Sequence, residues 1–135
     1  MISQTLCTSF KAELYQAVHD LLTDDIKIAL YTANATLGET TTVYTATDEA
    51  TGAGYIAGGV SLTGATVNTS GQIAYVDFAD ASWAGVITAR GALIYNASKS
   101  NKAIAVLDFG ADKTSVNTFV VTMPANTATS ALIRS

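Results

Sequence analysis

A mainly β domain, an antiparallel β-sandwich or jelly-roll-like fold with one N-terminal α-helix, is the class that three features of this sequence predict. Short apolar runs alternate with polar residues along most of the chain, turn-forming Gly, Asn, Asp and Ser separate them at hairpin spacing, and helical periodicity occurs once, near the start. A single proline and eight or more short strands fit a sandwich better than a parallel sheet. The length of 135 residues accommodates one domain around one core, spanning residues 1–135.

Phe10, Leu14, Val18 and Leu21 recur at helical spacing, with Lys11, Glu13, Gln16 and Asp20 on the other side. This predicts a helix over 9–22, started by Thr8 or Ser9 as a cap and ended by Thr23-Asp24-Asp25. Alternation then takes over. Ile26, Ile28 and Leu30 share one face of a half-buried strand over 25–32, where the sandwich begins. Residues 33–59 are rich in Thr, Ala and Gly and predict an extended arm or loop with short strands near 42–44 and 55–57, long enough to project. Further strands are expected at 59–63, 65–68, 72–79, 85–88, 91–96, 103–109, 118–123 and 131–133, with turns at 68–71 and 110–113. The most legible element is the hairpin over 88–110, two apolar runs about the tip Ser98-Lys-Ser-Asn-Lys102.

Hydrophobic residues make up 49% of the chain and charged residues only 13%, so Thr, Ser, Asn, Ala and Gly must cover much of the surface. A hydroxyl or amide costs far less to desolvate than an ion, which suits a surface spent on neighbours. The net charge of −4 argues against nucleic acid as a partner. Seven acidic residues precede residue 68 against Lys11 and Lys27 alone, while the remainder carries five basic side chains against four acids. No apolar stretch approaches the length of a membrane span, and the N-terminus has neither a basic leader nor an apolar h-region, so synthesis and folding in a cytoplasm are expected. Cys7 is alone and is expected to be buried and apolar in character.

Titratable groups offer little chemistry. His19, the sole histidine, has no second His or Cys near it for zinc and is expected to face solvent on the helix. Asp77 with Asp80, and Asp108 with Asp112, sit at expected strand ends, where Asp closes turns. No cofactor, metal site or catalytic residue is expected, and no enzyme activity. Tyr31, Tyr44, Tyr55, Tyr75 and Tyr95 are scattered over strands and parities, and Trp83 suits a core or interface anchor.

The succession Ile28-Ala-Leu-Tyr-Thr-Ala-Asn-Ala-Thr-Leu-Gly38, Thr41-Thr-Val-Tyr-Thr45, Glu49, Gly52-Ala-Gly-Tyr-Ile-Ala-Gly-Gly59, Val76-Asp-Phe78, Trp83, Thr88-Ala-Arg-Gly-Ala-Leu-Ile-Tyr-Asn96 and Ala103-Ile-Ala-Val-Leu-Asp-Phe-Gly110 resembles a group of small tailed-bacteriophage virion proteins. The resemblance runs from the helix to Gly110 as a whole-chain pattern without a catalytic motif. It implies a virion structural protein made in the cytoplasm of a bacterial host, most simply a capsid decoration or cement protein. Its partners would be the major capsid protein and further copies in a homo-oligomer or multi-copy assembly. A tail, baseplate or fibre-attachment component, partnered by tail proteins, is the alternative, and a carbohydrate-binding module at the virion surface is a second. The arm and the hairpin tip are the candidate contact regions, with Thr41, Thr42, Tyr44, Tyr55, Trp83, Lys99 and Lys102 as candidate interface residues.

Overall fold

The computed structural model describes residues 1–134 and is mainly β, 43% strand and 8% helical, with antiparallel sheets and one α-helix. Ser135, the last residue of the expected domain, lies outside the described residues. The elements are β1 (Thr5–Leu6), α1 (Thr8–Tyr15), β2 (Ile26–Tyr31), β3 (Val60–Ser61), β4 (Thr66–Ser70), β5 (Ile73–Asp77), β6 (Ala81–Ala84), β7 (Thr88–Asn96), β8 (Lys102–Thr114), β9 (Thr118–Val121) and β10 (Ile133–Arg134), with a single 3-10 turn at Ala97–Lys99. They form a five-stranded sheet in the order β1-β8-β7-β2-β3, a three-stranded sheet β10-β5-β4 and a two-stranded sheet β6-β9.

The core lies along β2, β7 and the first half of β8. Ile28, Leu30, Leu93, Ile94 and Ile104 are fully buried there, and each such side chain stabilises the fold by roughly 1.5–3 kcal/mol. The expected half-buried strand is buried on both faces, because Ala29 and Tyr31 are as enclosed as Ile28 and Leu30. Its central position accounts for this: β7 pairs with it along its whole length, and residues 33–59 fold back onto the molecule, burying Ala35, Leu37 and Ala50. The arm is therefore packed rather than projecting.

The helix runs 8 residues, Thr8–Tyr15, and stops seven residues short of the expected end at 22. Cys7, not Thr8 or Ser9, occupies its N-cap without a side-chain bond, and Ser9 Oγ is buried without a partner. After Tyr15 the chain turns through Ala17 at φ 57°, a left-handed conformation that ends the helix and leaves Leu14 and Tyr15 exposed. Periodicity continued past residue 16, but bonds made by His19, described below, favour the turn.

The hairpin over 88–110 is present as β7 and β8, closed by the 3-10 turn and by Ser100 and Asn101 in left-handed conformations. The expected turn at 110–113 is instead an irregularity within β8. Ala89 faces Lys113 and Gly91 faces Asp108, so Phe109–Asp112 are looped out opposite Arg90 alone. No strand forms at 55–57 or 85–88, and 42–44 contributes only an isolated bridge at Val43. Trp83 lies instead in β6. The turn placed at 68–71 is a two-residue loop, Gly71-Gln72, between Ser70 and Ile73.

Candidate functional site

Two polar clusters organise the end of the molecule where the expected contact regions lie. The first surrounds Glu49. Its Oε1 accepts from the Tyr44 hydroxyl at 2.6 Å, and its Oε2 accepts from the Tyr55 hydroxyl at 2.5 Å and from the Gly58 N–H at 2.8 Å. Tyr95 donates to the Gly58 carbonyl at 2.6 Å and Tyr31 to the Thr45 carbonyl at 2.6 Å, while Tyr44 and Tyr95 stack with ring centroids 4.8 Å apart. Tyr55 also serves β2: its hydroxyl accepts from the Leu30 N–H at 3.0 Å where β3 no longer pairs, and Ala50 donates to the Leu30 carbonyl at 2.8 Å. Burial pushes the Tyr31, Tyr44 and Tyr55 hydroxyls well above the ordinary tyrosine range, with the Glu49 carboxylate adding to it, and pushes Tyr95 up to about 12. Three donors converge on this carboxylate, so it holds the arm to the sheet through filled acceptor positions rather than facing solvent as a free base.

The second cluster joins α1 to the hairpin tip and overturns the expectation for His19. Its side chain is 0% exposed. Nε2 lies 2.8 Å from Glu13 Oε1 and Nδ1 3.0 Å from Asn96 Nδ2, with the Phe10 ring 5.0 Å away. Asn96 Oδ1 accepts from the Ser98 N–H, which turns its amide nitrogen toward both His19 and Asp24. With the Asn96 amide so oriented, Nδ1 accepts from it and Nε2–H donates to Glu13. Asp24 also receives Lys99 Nζ at 3.0 Å. The Asn96 amide, the Asp20 N–H and Lys99 together hold the Asp24 carboxyl down at about 2. Cys7 is fully buried as expected, and burial, with Glu13 nearby, pushes its thiol up to about 11.

The structure brings the two expected contact regions into one surface. Tyr44 N–H donates to the Asn101 carbonyl at 2.9 Å, Ala103 N–H to the Thr42 carbonyl at 3.0 Å, and Val43 bridges Lys102. Thr42 is exposed, Thr41 and Lys102 are half-buried, and Thr41 Oγ1 accepts from the Gly38 N–H. Lys99 is committed to Asp24. Trp83 is 3% exposed, packed 6.2 Å from both Tyr55 and Phe119. Glu49, His19 and Asn96 were not singled out as structural residues from sequence. Glu49 alone left a trace there, as one of two adjacent carboxylates, Asp48 and Glu49, between tyrosines at 44 and 55.

Elsewhere, a groove of about 470 Å³ beside β8 and β9 is lined by Leu107, Phe109, Phe119 and Val121, with Asp108 and Lys113 as its charged groups. The Gly110 N–H, and then Arg90, hold the Asp108 carboxyl below the usual carboxylate range. Among the described residues no group of three or more His, Cys, Asp or Glu side chains is placed to hold a metal ion. No protein-family model, no curated protein and no solved structure matches this chain.

Proposed function

We propose that this chain is a structural protein of a tailed-bacteriophage virion, a capsid decoration or cement protein that ties neighbouring shell subunits together without covalent bonds. The observation that carries the reading is a neutral, hydroxyl-rich exposed surface, most developed between Ala50 and Val76, where no charged residue occurs. Such a surface loses little on desolvation, and a modest contact of this kind repeated across a shell gains by multiplicity. The whole-chain resemblance to small phage virion proteins supports the same reading. The partners are the major capsid protein and further copies of this chain. Tyr44, Tyr55, Tyr95 and Trp83 turn inward onto one another, so the aromatic residues lend no support to a sugar-stacking platform.

Quantitative mass spectrometry of particles assembled from the genome that encodes the chain tests the proposal. Copies on the order of hundreds per particle, at a fixed ratio to the major capsid protein, are expected for decoration. A handful would assign it to the tail, and its absence from purified particles would remove the virion reading.

A further inference from the structure

The hairpin β4–β5 is open on both faces around its loop. From Val67 to Ala74 every residue except Asn68 is exposed, including Val67 at 50% and Ile73 at 39%. β4 is also an edge: β5 pairs along one side of it through five consecutive residues, and among the described residues no strand pairs along the other. Other edge strands of the three sheets run two to four residues, whereas β4 runs five. Natural edges are blunted by lysine, proline, bulges or cover. Thr66-Val-Asn-Thr-Ser70 has no charge, no proline and no register shift.

We infer that the β4 edge is a self-association surface whose occupant is the β4 edge of a second copy of this chain, paired antiparallel about a two-fold axis at Asn68. The register follows from the loop. Ser70 and Ile73 close a two-residue turn and form a hydrogen-bonded pair, so Asn68 and Thr66 also direct their backbone groups to β5, while Val67 and Thr69 direct theirs outward. With Asn68 opposite Asn68, Val67 stands opposite Thr69 of the second copy and Thr69 opposite its Val67. The two outward residues then exchange all four N–H and C=O groups, and β10-β5-β4 becomes the half of a continuous six-stranded sheet. The pairing is self-complementary: Val meets Thr, Thr meets Ser, and two side-chain amides meet on the axis. Charge is compatible with the same surface. Each copy carries a net −4, and the β4 edge, the longest of the uncharged edges, lets two copies meet without opposing carboxylates. So short an edge buries less than the ~1,200 Å² of a stable interface, which makes the dimer weak alone and effective where copies are already held close. The inference stands on the hairpin geometry and does not require the virion reading.

Sedimentation velocity of the purified chain from ~10 µM to ~1 mM tests it together with disulfide trapping. A concentration-dependent monomer–dimer equilibrium is expected, lost in Thr69→Pro and Val67→Lys at an unchanged urea midpoint, since neither change touches the β4–β5 bonds. On the axis, opposed Cα atoms of a non-hydrogen-bonded pair approach ~4.5 Å, within disulfide reach. Asn68→Cys should therefore cross-link to dimer at least ~10-fold faster than Gln72→Cys at the loop, even if Val67→Lys misfolds. A monomer throughout the range, or equal trapping at both positions, overturns the inference. So does a dimer that persists in folded Thr69→Pro and Val67→Lys.

Discussion

Residues 33–59 and the β4–β5 hairpin start from nearly the same composition, Thr, Ala, Gly and Asn with few charges, and end in opposite states. The first reads as a free arm and lies packed against the sheet. The second reads as ordinary sandwich strand and stands open on both faces. The difference is a carboxylate with tyrosines at hydrogen-bonding distance. Glu49 gathers Tyr44, Tyr55 and Gly58, and Tyr55 in turn completes the unpaired edge of β2, so one side chain closes a long loop over the core. Between Ala65 and Val76 there is no ionised group to organise anything. A loop without regular structure is held by a few buried polar contacts, whereas a regular hairpin satisfies its own inner backbone bonds and can remain without cover.

The glycines give the sharpest way to break this contrast. Gly59, at φ +79°, would place an added Cβ 1.8 Å from the Ile28 carbonyl oxygen, a backbone atom in the buried strand. Gly59→Ala is expected to cost about 4 kcal/mol or more in urea unfolding, or to prevent folding. Next comes Glu49→Ala, which leaves three donors without their acceptor and is expected to cost about 3 kcal/mol. A loss below about 1 kcal/mol would show that the tyrosine cluster is not what holds the arm. Gly71 has a positive φ of +59° but nothing within 4 Å of the added Cβ. Gly71→Ala should therefore cost only the conformational term, about 1–2 kcal/mol. If Gly59→Ala and Gly71→Ala unfold at the same urea concentration, the arm is no more tightly held than the hairpin.

Much of the fold was legible because period and turn chemistry are local. The β7–β8 hairpin, the tip residues and β2 follow from alternation and from small polar residues between apolar runs. What failed was decided at long range. His19 sits on a segment whose spacing extends the helix, yet Asn96, 77 positions away, draws its ring into the interior and the helix stops at Tyr15. The two-sided burial of β2 depends on residues 33–59 returning over it, which no window of sequence contains. The arm and the tip lie some forty residues apart in sequence, and their junction through Thr42, Tyr44 and Lys102 is a property of the folded chain.

Asp77 marks the boundary between the two regimes, where β5 leaves the open hairpin and enters the core. Its Oδ1 accepts from the Phe78 N–H at 2.9 Å, while Oδ2 is buried without a hydrogen-bond partner. Burial raises its carboxyl above the usual carboxylate range, with Asp80 adding to the effect. The native state therefore holds this proton more tightly than the unfolded chain does. Its contribution to stability is fully present below the ordinary Asp value of about 4 and is lost as pH rises through the raised native value. Asp77→Asn removes the ionisation while keeping an oxygen for Phe78, so the stability of the variant relative to the native protein should rise between about pH 4 and pH 7. This is the smallest of the four effects, and it is read as a slope in paired urea titrations rather than as a single midpoint. A difference that stays flat with pH would mean that the hairpin enters the core without burying charge. The boundary between the covered and open regions would then rest on packing alone.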